Sequence, residues 1–454
     1  MTTSVKISEI TRNDRPGRER VDRQLLRLST WSVNFTPTYP MPLAGYASRS
    51  GLCEKVDHPL EASFLLISDW QNRSIVLGSV DTLFLTATTL ADITAAMGRV
   101  PAPLFLFATH THNAPSLAPD LPLLGQHDSR WYRHFVSTCA ESINELVKHS
   151  GKPVSLRYAE QKTDLNINRR RPGWIADYRG LLENHRISIN RRVALAPNKS
   201  GIVDRRVKAL FLEDGAGSVK AIVWSLAAHP AFYPGFNNVS PDFPGLIRNL
   251  LRRRFGAECA VVYLPGFAGS AIPKIPFRLP RTLRGAVASA LPFNPTLRSF
   301  SPKSYGKWVN RVFVALMHAY DSRELSPPET RVAVRSAKVP GIFRHRNGSR
   351  ENSGIDLHLS RVSLGPDLNI LASNGEMLCE WVPLLRSVEP RRTFCSGYLA
   401  GDALYVPTSE QIPEGGYEVT GFQETFGLDG EFHAEISRLV VAAIGRLFCA
   451  DADG

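Results

Sequence analysis

LFLFATHTHNAP, residues 104–115, is an apolar run that ends in two histidines. Read as a strand over Leu104–His112, it places Leu104, Leu106, Ala108, His110 and His112 on one face. The apolar part buries the strand and delivers both imidazoles at its C-terminal end, where α/β sheets open their ligand crevices. Two histidines there can hold a metal, or one can hold it while the other handles protons. In a chain with 12 histidines an HxH pair arises by chance about 0.3 times, so the motif needs company before it means catalysis.

Outward from this strand the chain alternates. Ala62–Ser68 and Ser74–Leu85 read as a hairpin across the turn Asp69–Arg73. Thr86–Met97 reads as a helix. Arg130–His149 is an amphipathic helix with Trp131, Phe135, Cys139, Ile143 and Leu146 along one face. Arg206–Leu212 and Val219–Ala227 pair around Glu213-Asp214-Gly215. Leu246–Phe255, Tyr305–Tyr320 and Glu431–Phe448 read as helices, and Val154–Glu160 and Ala260–Leu264 as strands. Short β-runs fill 331–338, 359–365, 368–373, 393–398 and 403–406. Interleaved strands and helices predict an α/β fold, one domain over 26–454 with a mixed β-sheet core flanked by helices. A polar lead-in, 1–25, precedes it.

Composition bounds the function. Of 454 residues 43% are hydrophobic and 21% charged, which excludes wholesale disorder. No apolar run approaches the length of a membrane span. Six scattered cysteines exclude a zinc finger or a disulfide scaffold. The N-terminus lacks an apolar secretory core, so a cytoplasmic protein is expected. Lys+Arg 54 against Asp+Glu 42 leaves +12. Nucleic-acid motifs are missing, and nucleic acid is not an expected partner. Pro273 to Tyr320 holds eight Lys/Arg and no acid. The stretch 273–304 therefore reads as a solvated basic loop, a cationic lid, or a contact for an anionic or membrane surface.

Three further stretches repeat the pattern of a polar residue after a strand. WSLAAHPAFY (224–233) ends a strand in His229, and VSPDFPG (239–245) places Asp242 before a helix. NGEMLCEW (374–381) carries Glu376 after a turn. YVPTSEQIPEGGYEV (405–419) sets Tyr417 behind two glycines that allow close backbone approach.

Taken in order, these stretches resemble the catalytic domain of the neutral, non-lysosomal ceramidases and their bacterial relatives, over about residues 40–450. The carriers are Gly45-Tyr46-Ala47, GSVDTLF (78–84), ATHTHNAP (108–115), NINRRRP (166–172), AAHPAFY (227–233), SPDFPG (240–245), LPGFAG (264–269), NGEMLCEW and VPTSEQIPEGGYEV. The resemblance implies one zinc ion held by His110, His229, Glu376 and Tyr417. It implies His112 as a catalytic hydrogen-bond or proton donor, with Arg169, or its neighbour Arg170, pointing at the site. Asp81 and Asp242 become candidates for orienting histidine ring N–H groups.

The sequence departs from the family where substrate is read. Ile272 stands where the family has an active-site serine, and Ser270 could replace it by a shift of register. Phe426-Gly427 replaces a Tyr-Gly. No counterpart of the C-terminal β-sandwich domain is expected. Cys379 and Cys395 read as small hydrophobes rather than nucleophiles. The expected function is zinc-dependent hydrolysis of a linear, small-molecule or lipid-like amide. The alternatives are an acyltransferase or cyclase using the same site, a true ceramidase, and a non-catalytic lipid- or anion-binding protein.

Overall fold

The strands that carry the site owe their burial to near-continuous apolar runs. Ser74–Val80 (SIVLGSV) and Leu104–Ala108 (LFLFA) are buried on both faces and lie parallel, Val76 opposite Leu104 and Val80 opposite Ala108. The structure, a computed structural model, describes residues 25–100, 102–177, 188–276, 297, 299–325, 329–346, 354–388 and 392–449. The polar lead-in, Leu25 apart, and most of the basic stretch 273–304 lie outside the described residues.

The largest sheet runs in the order Ala260–Tyr263, Val219–Ser225, Arg206–Glu213, Lys152–Lys162, Leu26–Asn34, Glu61–Ser68, Ser74–Val80, Leu104–Ala108. Its two outermost pairs are parallel and the rest antiparallel, which makes the sheet mixed as expected. A five-stranded sheet is built from Arg392–Ser396, Leu368–Ser373, Ile355–Ser363, Ala333–His345 and Gly430–Phe432. The sequence reading did not foresee that the two sheets stack. Leu65, Leu77, Phe107 and Val223 of the first share one buried cluster with Val362, Leu368, Ile370 and Phe394 of the second.

Helices cover the outer faces. Asp242–Phe255 and Pro302–Asp321 pack on one end of the large sheet through Phe243, Ile247, Trp308 and Val312. Ser129–Lys148 buries all five residues of its expected apolar face. Trp381–Val388 and Ile436–Cys449 pack with Leu357, Leu359 and Leu371 of the smaller sheet. The result is helix, sheet, sheet, helix. Among the described residues no helix is long and apolar enough to cross a membrane.

Three readings of local structure change. The 104-strand stops at Ala108 rather than His112, because His110 adopts φ +63° and breaks the pleat. The last helix begins at Ile436 rather than Glu431. Gly430–Phe432 is instead a strand pairing with Phe343–His345, since its short run finds an open sheet edge. Asn166–Asp177 and Ser188–Asn198 form a hairpin that the arginine-rich sequence concealed.

Candidate metal centre

His110 leaves the end of its strand in a left-handed conformation. The turn, not the strand pleat, brings it beside His112. His229 comes from the loop after Val219–Ser225, where its backbone N–H bonds the carbonyl of Ala271. Glu376 opens a two-residue strand parallel to Tyr405–Val406, which sets it opposite Tyr405. Asp242 and Tyr398 also have positive φ, +53° and +61°. Left-handed backbone costs a non-glycine residue about 1–3 kcal/mol and persists where the surroundings over-determine it. Among the described residues the remaining case, Asn72, lies in the hairpin turn far from this site.

The imidazoles converge. His110 Nε2 lies 3.1 Å from His229 Nε2, and His112 Nε2 lies 3.2 Å from the same atom. Glu376 Oε2 is 3.5 Å from His110 Nε2. His110 and His229 are 1% exposed, as is Glu376. His110 Nδ1 sits 2.9 Å from the carbonyl of Leu83. Backbone contacts with Gly45 and Ala268 favour the protonated forms of His112 and His229, although the Nδ1 atoms of both rings have no hydrogen-bond partner. Neither of these two contacts reaches full hydrogen-bond geometry. With protons on Nδ1, all three Nε2 atoms present lone pairs to one another. A cation placed among them would satisfy all three.

Electrostatics agree. Burial pushes His110 down to about 3, and His112 and His229 well below the usual histidine value, helped by the nearby Arg169 charge. Burial pushes the Glu376 carboxyl up to about 8 against the pull of Arg169. Neutral imidazoles and a buried carboxyl are the chemistry of a metal site. Tetrahedral zinc, with bonds to nitrogen near 2.0–2.1 Å, separates its ligand nitrogens by about 3.3 Å. The observed separations fit. Among the described residues, this His110/His112/His229 group is the one cluster that could hold a metal ion.

The surrounding shell is aromatic and ionic. The Tyr398 ring stacks on His110 at 4.2 Å and its hydroxyl donates to Glu376 at 3.3 Å. Arg169 is 5% exposed and donates to Glu418 at 2.8 Å and to the Tyr405 hydroxyl at 3.1 Å. Arg170 is bound instead to Glu418, Glu414 and the Gly415 carbonyl, so Arg169 is the arginine whose charge reaches the cluster. Tyr417 begins a short π-helical turn, Tyr417–Gly421. Its ring lies 5.6 Å from that of Tyr405 and 5.8 Å from the Arg169 guanidinium carbon.

Asp81 and Asp242 do not meet the histidine rings. Asp81 accepts from Arg248 and the Glu61 N–H, both on the far side of the strand end. Asp242 accepts from the Tyr305 hydroxyl and from the backbone of Phe243 and Phe232, which ties down the loop following His229. For His110 a backbone carbonyl, that of Leu83, takes the orienting role. Ser270 is also committed elsewhere: its hydroxyl donates to Glu380 at 2.6 Å and accepts from the Cys379 N–H. Ile272 is buried in a strand paired with Ile167, and Phe426 packs on Phe84, which itself contacts His110. The residues that sequence reasoning missed are Tyr398, Tyr405, Glu418 and Glu380. Tyr405 and Glu418 lie inside the quoted 405–419 stretch, and Glu380 in 374–381. No motif pointed to Tyr398.

No family model matches the chain, and no curated protein matches it in sequence. Solved structures do. Neutral ceramidase from Pseudomonas aeruginosa superposes with a TM-score of 0.67 at 15% identity, over 94% of this chain and 75% of that one. The fold is ceramidase-like. A ceramidase solved in complex with C2 gives a TM-score of 0.65 at 15% identity, over 94% and 74%. At this identity the likeness concerns architecture. It places the buried histidine cluster described above within a ceramidase-like scaffold.

Two tests arise from this geometry. A Cβ on Gly45, at φ +107°, would fall 2.6 Å from the His112 ring. Gly45→Ala should displace that ring and lower kcat at least about tenfold with the fold intact, read by steady-state kinetics beside circular dichroism; an unchanged kcat would deny His112 a role. The second concerns pH. Burial raises the Asp242 pKa from 3.8 to about 6 in the folded protein. Its stabilising contribution is therefore full below about pH 4 and lost as pH rises through about 6. Relative to Asp242→Asn, the wild type should lose urea resistance across that window and stay level above it. Parallel curves for the two proteins would refute the assignment.

Proposed function

We propose that the chain is a zinc-dependent amidohydrolase acting on a linear amide, an N-acyl amine or N-acyl amino compound of small-molecule or lipid-like character. The observation that carries this is the convergence of three imidazole Nε2 atoms with Glu376 in the interior of a ceramidase-like fold. His110, His229, Glu376 and Tyr417 would hold the ion. When bound, zinc polarises a carbonyl and brings the pKa of a bound water to about 7.

The chain's own groups do the rest. His112, with Nε2 aimed at the same point, would carry a proton to the departing amine nitrogen as the C–N bond breaks. Arg169, fixed by Glu418, holds positive charge beside the reacting carbonyl, where negative charge builds. Tyr398 holds Glu376 aligned by donating to it, and with Tyr405 it offsets part of the rise that burial imposes on the carboxyl. The ring layer of Phe84, Phe426 and Tyr398 excludes water from one side of His110.

The substrate should differ from ceramide. Ile272 has no hydroxyl to offer, and Ser270 is spent on Glu380 and Cys379. Zinc-loaded protein assayed against a panel of N-acyl compounds, ceramide included, tests the reading. Hydrolysis of a simple N-acyl compound faster than ceramide is expected. Stoichiometric zinc with no amide hydrolysed across the panel would rule it out.

A further inference from the structure

Arg49 stands behind the histidine cluster, and no acidic residue pairs with it among the described residues. Its Nη1 donates to the carbonyls of Ala44 and His112, both at 2.7 Å. The guanidinium lies against the rings of Tyr46 and Phe236, its carbon 4.7 and 4.6 Å from their centres, and those rings sit side by side, 5.1 Å apart. Tyr46 packs in turn against His112, ring centres 4.9 Å apart. Nε and Nη2 are buried and have no hydrogen-bond partner. Burial without a counter-charge lowers the arginine to about 10, so it remains a cation at neutral pH.

A half-buried cation whose shielded donors stand idle is expensive to fold. Holding the His112 carbonyl needs only Nη1, and a neutral amide side chain could do that. What the arginine adds is the Nε–H and Nη2–H edge. That edge is the one that grips a carboxylate through two parallel hydrogen bonds. Phe236, one of the two rings against the guanidinium, is 49% exposed and gives up little buried area by turning away. Arg49 also lines a cavity of about 350 Å³ with Tyr46, Leu43, Leu52 and Leu124, wide enough for part of a small organic ligand beside the site.

We propose that Arg49 reads a carboxylate on the substrate, so that the site selects amides bearing that anion, such as N-acyl amino acids, over neutral amides. This deepens the amidohydrolase reading and rests on it for the identity of the scissile bond. The recognition itself does not need turnover.

The test uses a matched pair, N-lauroylglycine and N-lauroylethanolamine. Titration calorimetry on wild-type protein with zinc chelated, so that neither is consumed, should show the carboxylate binding about 100-fold more tightly. Equal affinities would overturn the proposal. Arg49→Gln should erase the difference by weakening only N-lauroylglycine, and Arg49→Lys should restore part of it. If Arg49→Gln weakens both compounds alike, the residue merely positions His112 and the proposal fails. In the zinc-loaded enzyme the ratio of the two kcat/KM values should follow the same pattern. A protein that binds N-lauroylglycine selectively but hydrolyses neither compound keeps this inference and removes the hydrolase reading. One that hydrolyses both with equal kcat/KM does the opposite.

Discussion

His110→Ala should leave the protein with no stoichiometric zinc and no measurable turnover. His110 Nε2 is the atom that faces both His229 and Glu376, so its loss takes away one donor and the neighbour of two others. The vacated space is lined by Phe84 and Tyr398 rings, which supply no replacement. Metal analysis after dialysis and a kcat measurement on the same sample check it. Surviving turnover would sink the zinc hydrolase. His112→Ala is the informative companion. If His112 moves protons, zinc stays bound and kcat falls by about 10²–10⁴. If zinc leaves as well, His112 is a third nitrogen ligand, a use its position in the cluster equally permits.

Glu418→Gln should cost about 3–5 kcal/mol of stability. Glu418 is fully buried between two arginines, taking Arg169 on one oxygen at 2.8 Å and Arg170 on the other at 2.9 Å. Both guanidiniums are nearly inaccessible, at 6% and 3% of side-chain exposure. Neutralising the carboxylate strands the Arg169 guanidinium in the interior with the Tyr405 hydroxyl as its other hydrogen-bond partner, and leaves Arg170 with the half-exposed Glu414 and the Gly415 carbonyl. Urea unfolding measures the loss. Because Arg169 also faces the cluster, kcat should fall in the folded fraction. A change below about 1 kcal/mol would show that the pair is solvated in solution.

How much of this was legible beforehand depended on the kind of signal. Buried helices announced themselves by period: all five residues proposed for one face of Ser129–Lys148 are in the core. The buried strands showed as apolar runs. Histidines 110, 112 and 229 were visible because each follows such a run. The stacking of two sheets was not visible, since an inward face toward a second sheet and one toward a helix use the same residues. The hairpin of Asn166–Asp177 and Ser188–Asn198 was hidden because its arginines satisfy no alternation. The orienting groups were misjudged for a simpler reason. A carboxylate is conspicuous in a sequence, whereas a backbone carbonyl, such as that of Leu83 behind His110, belongs to every residue alike. Tyr398 reaches the site through its backbone conformation, φ +61°, and no spacing rule encodes that.

The two shortest contacts of the cluster join residues 119 and 117 positions apart. Glu376 arrives on a two-residue strand of a separate two-stranded sheet, paired with Tyr405–Val406. Closing such distant loops is the slow part of folding. No stretch of the chain that ends before residue 229 assembles the three histidines. An ion captured there would be a timer that starts only after these loops have closed, and zinc supplied during refolding would reward the finished topology while leaving early collapse untouched.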